Sequence, residues 1–167
     1  DWWSFAEDPE ATRWKSVSTG RWTLHGADSV HVSGRLIGGC VEAMCNLAGT
    51  PYGNVAGFGR QHADDGLIVY VEAAGDEAAT VCRNLHGLRL AGWFEHAQAI
   101  LIGRTNAPDH PKLTQQEAVI DALGRLGLPI VFDLEIGHVP PHLPLVNGAL
   151  ATLTIDGDSR EIVQQLR

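Results

Sequence analysis

No run of apolar residues in this chain of 167 approaches the ~20 needed to cross a bilayer, so a helical membrane span is excluded. Cysteine is scarce: Cys40, Cys45 and Cys82, an odd number without framework spacing, point to reduced thiols and a cytoplasmic setting rather than a disulfide scaffold. Basic residues are few, 12 Lys and Arg against 20 Asp and Glu, and the net charge of -8 argues against a nucleic-acid partner. Methionine occurs once, at Met44, and the chain opens on Asp1-Trp2-Trp3 with neither an initiator nor a signal peptide, which leads us to expect a piece of a longer polypeptide. Gly34 to Gly39 lacks the lysine of a phosphate loop. None of Ser4, Ser16, Ser18, Ser29, Ser33 and Ser159 sits in a Gly-x-Ser-x-Gly elbow, so a self-contained serine hydrolase is not encoded here.

What is present suits one globular domain with a short extension: 44% apolar and 19% charged residues, and length enough to bury a core without metals or disulfides. Residues 1–19 are polar, lack periodicity and carry Trp2, Trp3 and Trp14; they read as a leader, and residues 20–167 as the body. Tryptophans in so polar a stretch either pack back on the body or wall a substrate site.

The body alternates strand and helix signals. Arg21 to His25 and Ser29 to Leu36 read as strands joined in a hairpin at Gly26-Ala27-Asp28. A helix is expected from Cys40 to Ala48, closed by Gly49. Leu67 to Val71 is a nearly all-apolar strand of the kind buried on both faces, ending at Glu72. A helix follows from Asp76, the expected N-cap, to Leu90. Ala97 to Ile102 is another apolar strand, and Thr114 with Glu117 three residues on spells a capping box for a helix through Leu126. Ile130 to Ile136 is a strand broken by Gly137, and Gly148 to Ile155 is another, with Asp156-Gly157 turning the chain into a returning strand from Arg160 to Leu166. The class is therefore α/β, with a mixed sheet that is parallel in the middle and carries antiparallel ribbons at its ends.

Sites in such sheets form beyond the carboxyl ends of strands, and Glu72 and His138 both lie there. A carboxylate that holds an imidazole in one tautomer is the orienting arm of a hydrolytic triad. Equally, His138 could merely end a strand and Glu72 be a solvated charge; Asp133 and Glu135 are rival partners by proximity. Cys40, at a helix start after two glycines, is an in-chain nucleophile if its pKa is lowered, although a buried structural thiol is the plainer reading. His138 and His142 are four apart, but Pro140 and Pro141 oppose the helix that would pair them on a metal, so no metal or other cofactor is expected.

Taken in order, Gly34-Arg35-Leu36-Ile37-Gly38-Gly39, Leu47-Ala48-Gly49-Thr50-Pro51-Tyr52, Val69-Tyr70-Val71-Glu72, Ala99-Ile100-Leu101-Ile102-Gly103, Gly127-Leu128-Pro129-Ile130, Gly137-His138 and Pro144-Leu145 resemble the C-terminal domain of the LD-carboxypeptidase family of serine peptidases, which includes the microcin C self-immunity proteins. The resemblance implies a swivelling β/β/α domain within a homodimer. It also implies a Ser-Glu-His triad split between domains: the serine from an N-terminal domain, Glu72 as the orienting carboxylate and His138 as the general base. The substrate would be a small peptide of the murein type or an acyl-nucleotide amide of the immunity type. The Trp-rich leader favours the latter, with Trp14, and less directly Trp2 and Trp3, stacking on the base. Cys40 departs from the family pattern, where Asn is common. A ligand-binding module without chemistry is the alternative from another functional class.

Overall fold

The computed structural model describes residues 21–166. The leader with Trp2, Trp3 and Trp14 lies outside the described residues. Seven strands form one sheet: β1 Thr23–His25, β2 Val30–Cys40, β3 Leu67–Glu72, β4 Ala97–Gly103, β5 Ile130–Leu134, β6 Leu150–Asp156 and β7 Ser159–Gln165. The order is β1-β5-β4-β3-β2-β6-β7. The pairs β2–β3, β3–β4 and β4–β5 are parallel, whereas β1–β5, β2–β6 and β6–β7 are antiparallel. The helices are α1 Val41–Met44, α2 Val55–Gln61, α3 Ala78–Leu90 and α4 Gln115–Leu123.

The central strands read as unbroken apolar runs because both of their faces are covered. On one side Leu67, Val69, Val71, Ile100 and Ile102 pack with Val81, Leu85, Leu88, Val119 and Leu123 of α3 and α4. On the other, Ile68 and Leu101 join Leu36, Val131 and Leu153, closed over by Leu143 and Leu145 from the connection between β5 and β6. Glu72 continues the alternation of Ile68 and Tyr70, so the strand itself turns the carboxylate towards the second face.

The capping box is present: the Glu117 amide donates to Thr114 Oγ1 at 3.1 Å and the Thr114 amide to Glu117 Oε2 at 2.8 Å. The Asp156-Gly157 turn returns the chain into β7. Other expectations are corrected. β1 does not form a hairpin with β2, because β3 and β6 occupy both edges of β2; Gly26, at φ +86°, sends β1 instead to the far edge beside β5. The helix after Cys40 closes at Met44 and gives way to turns. α2 carried no helical signal because two of its seven residues are glycines; Asn54 caps it by accepting the Gly57 amide at 2.9 Å, and Gly59 leaves room for the His96 ring. α3 is capped at Glu77 rather than Asp76, whose amide is engaged by Glu42. β5 ends at Leu134, because Asp133 takes φ +69° before Gly137 is reached.

Candidate active site

Glu72 ends β3 and His138 lies beyond β5, with β4 between them. The gap closes because two glycines let the carboxylate through. A Cβ on Gly103, at the end of β4, would fall 2.7 Å from Glu72 Cβ and from the Ile136 carbonyl oxygen. A Cβ on Gly137 would fall 2.5 Å from Glu72 Oε2. Threaded between them, Glu72 Oε2 reaches His138 Nδ1 at 3.0 Å. The two side chains differ sharply in exposure, 6% for Glu72 and 61% for His138. The acid is buried and the ring stands out, with Nδ1 held by Glu72 and Nε2 without a hydrogen bond among the described residues.

Among the described residues Glu72 is the buried charged side chain. Its hydrogen bond, and then its charge, raise the His138 pKa above the ordinary 6.5, with a smaller push from Glu42. A histidine raised in this way favours the fold below its unfolded pKa, and that contribution fades as pH rises through the folded value. An NMR titration of the imidazole is expected to place His138 above 6.5, and Glu72→Gln to return it towards that ordinary value. A wild-type ring titrating at the ordinary value would show that the contact does not form in solution.

Glu42, on α1, gave no signal in the sequence because the amides its carboxylate accepts lie more than thirty residues away. Its Oε1 accepts the amides of Ala74 and Gly75 at 2.9 Å and of Asp76 at 3.0 Å, pinning the loop that follows Glu72. Burial opposes its charge, but the Gly75 and Asp76 amides, the Cys40 thiol and its own amide outweigh burial and hold the carboxyl at about 2. Cys40 pairs in register with Glu72 and donates to Glu42 Oε2 at 3.1 Å. Burial, then Glu42, push its thiol to about 11, the reverse of what a nucleophile needs, so the cysteine-hydrolase reading loses its ground. The rival acids are engaged elsewhere: Asp133 accepts from Thr23 Oγ1 at 3.2 Å and Glu135 from Trp22 Nε1 at 2.6 Å, both tying down the β1 segment. No serine among the described residues is hydrogen-bonded to His138, and Ser33 bonds Thr152 across β2 and β6.

A cleft of about 200 Å³ opens on the helix-covered side of the sheet, with Glu72, Arg104, Thr105, Gln115, Gln116 and Asp133 as its polar lining; His138 does not line it. Away from it, Cys82 and His86 of α3 and Asp121 of α4 bring their donor atoms within 4.8 Å of one another, a grouping the sequence reading missed because it spans two helices. Asp121 Oδ2 takes His86 Nε2 at 3.0 Å and Cys82 Sγ at 3.4 Å, and Arg89 donates to His86 Nδ1 at 3.0 Å. A metal-bound imidazole needs an acceptor at its other nitrogen; here that nitrogen faces a guanidinium, and the three residues form a hydrogen-bonded chain.

The family model for the LD-carboxypeptidase C-terminal domain matches residues 33–153. The Streptomyces coelicolor protein named "Putative carboxypeptidase" is 31% identical over 123 residues, which cover 74% of this chain and 37% of that protein. A like-named Synechocystis protein is 29% identical over 130 residues, covering 75% of this chain and 40% of its own. Among solved structures, the microcin C7 self-immunity protein superposes with a TM-score of 0.66 at 23% identity, over 92% of this chain and 43% of its own. The muramoyltetrapeptide carboxypeptidase of Oxalobacter formigenes gives 0.63 at 22% identity, over 84% and 48%. The chain thus spans less than half the length of the relatives it matches. With the family model covering most of its length, the chain belongs to the LD-carboxypeptidase C-terminal domain family.

Proposed function

We propose that this chain is the C-terminal part of a serine carboxypeptidase or amidase, and that Glu72 and His138 are two members of its triad. The observation that carries this reading is the 3.0 Å contact between a buried carboxylate and an exposed imidazole at the carboxyl edge of the sheet. Residues 20–167 supply acid and base, and a preceding domain, to which residues 1–19 lead, supplies the serine. His138 Nε2 takes the hydroxyl proton as the serine oxygen bonds to the substrate carbonyl carbon. The same nitrogen returns that proton to the departing amine as the C–N bond breaks, leaving an acyl-enzyme. Water then attacks the ester carbonyl carbon and gives a proton to His138 Nε2, which passes it to the serine oxygen as the ester C–O bond breaks, releasing the acid and restoring the serine. Glu72 accepts the Nδ1 hydrogen throughout, which fixes the tautomer and offsets the charge of the imidazolium.

Between the two substrate classes we favour the acyl-nucleotide amide of the microcin immunity type. Trp14, Trp2 and Trp3 offer flat apolar faces for a purine, and stacking of this kind is worth ~1–3 kcal/mol per base. The murein tetrapeptide is the second reading, supported by the likeness to a muramoyltetrapeptide carboxypeptidase. Both fit a cytoplasmic homodimer. The test is a competition assay of the full-length protein on an aminoacyl-sulfamoyl adenosine and a murein tetrapeptide. Preferential cleavage of the first, weakened by Trp14→Ala mainly through KM, is the expected result. Cleavage of the tetrapeptide alone would reassign the substrate. Cleavage of neither, with tryptophan fluorescence that responds to ligand and ignores His138→Ala, would favour a binding module instead.

A further inference from the structure

The imidazole sits on a connection, residues 135 to 149, that contains neither helix nor strand. A hydrogen bond from Glu72 fixes the ring only if the backbone that bears the ring is itself held. Prolines at 140 and 141 cannot donate to the sheet, so this stretch offers mainly carbonyls, and something must donate to them. Arg104, the residue after β4, does so. Its Nη2 donates to the Pro141 carbonyl at 2.9 Å and lies 3.4 Å from that of Val139, and its own amide donates to Leu134 at 2.9 Å. The side chain keeps this pose although its Nε is buried without an acceptor among the described residues, so the carbonyl contacts set its position. Leu143 closes the other end of the connection by donating its amide to the Glu135 carbonyl.

We propose that Arg104 is a positioning residue for His138: its guanidinium clamps the backbone just beyond the histidine and so keeps the ring against Glu72. Its consequence for turnover rests on the triad reading above; the clamp does not, and is tested in the chain as it stands. Among the described residues, the charges that raise the ring's titration are Glu72 from β3 and Glu42 from α1. Two effects of Arg104→Met have opposite signs. Removing a cation by itself favours the imidazolium and moves the His138 titration up, whereas losing the clamp frees the ring from Glu72 and moves it down. The clamp predicts a downward shift towards the ordinary value, partly reversed in Arg104→Lys, and a titration that stays in place or rises overturns it. If Arg104→Met does not fold, the wild-type chain decides the matter through its Arg104 guanidinium protons: distinct, slowly exchanging NMR signals support the clamp, and averaged, freely exchanging ones overturn it. In the full-length enzyme, the variant is expected to lose about 10–100-fold in kcat with little change in KM, since a small misplacement of a reacting group costs that much. A downward shift in titration without any loss of turnover would keep the clamp and remove the triad reading instead.

Discussion

His138→Ala in the full-length protein is expected to lower kcat/KM by ~10²–10⁴-fold, the range that a positioned proton-transfer group contributes. The ring is mostly exposed, so its removal opens no cavity and the fold is expected to remain intact. Glu72→Gln is expected to fall in a similar range for a different reason. An amide in that buried position can donate to Nδ1, which moves the ring proton to Nε2 and blocks the lone pair that must accept from the serine. Because the two side chains act as a unit, the double variant should be little worse than His138→Ala alone. Steady-state kinetics on the three proteins checks this. Losses that multiply would mean that the residues act independently and that the contact is incidental.

Gly137→Ala is the second substitution with a large expected effect. Two independent penalties coincide there. The backbone sits at φ +93°, where an L-residue is strained by roughly 1–3 kcal/mol. The new methyl would also land 2.5 Å from Glu72 Oε2 and 2.6 Å from its Cγ. Glu72 cannot retreat, since Gly103 already approaches its Cβ from the other strand. The backbone strain alone, roughly 1–3 kcal/mol, corresponds to a fall of about 2–12 °C in Tm for a chain of this size, and the clash with Glu72 adds to it. The displaced carboxylate should also release His138, so its titration drops towards the ordinary value and kcat/KM falls as in Glu72→Gln. Gly75→Ala serves as the control: its Cβ meets nothing within 4 Å, its φ is not left-handed, and its amide remains free to bond Glu42. A Gly137→Ala protein that melts and titrates like wild type would contradict the packing described here.

The legible parts of the fold were those whose cause is local. The runs Leu67 to Val71, Ala97 to Ile102 and Ile130 to Phe132 announce buried parallel strands by composition, and Thr114 with Glu117 announces a helix start by spacing. Asp156-Gly157 fixes a hairpin by turn chemistry. What escaped depends on pairings that no spacing encodes. β1 chooses β5 over its sequence neighbour because β2 has no free edge, and α2 hides behind its glycines. The site divides in the same way. Glu72 could be read directly as the end of β3, whereas His138, read as the exit of a strand, lies beyond the end of β5 on the connection to β6; the family resemblance gave both their roles. Glu42 and Arg104 act on loops far away in sequence, through backbone amides and carbonyls that any residue could offer. Neither carries a mark in the sequence, although both bind the segments that hold the acid and the imidazole in place.

The central claim, that His138 is the base and Glu72 its orienting partner, is tested most directly by one comparison in the full-length protein. The pH profile of kcat/KM reports the ionisation of the free enzyme's essential base, and NMR reports the ionisation of His138 itself. The account predicts that the acid limb of the profile coincides with the raised pKa of His138, and that Glu72→Gln moves both downward together. An acid limb that stays in place while the His138 titration shifts, or that persists at full height in His138→Ala, would contradict it.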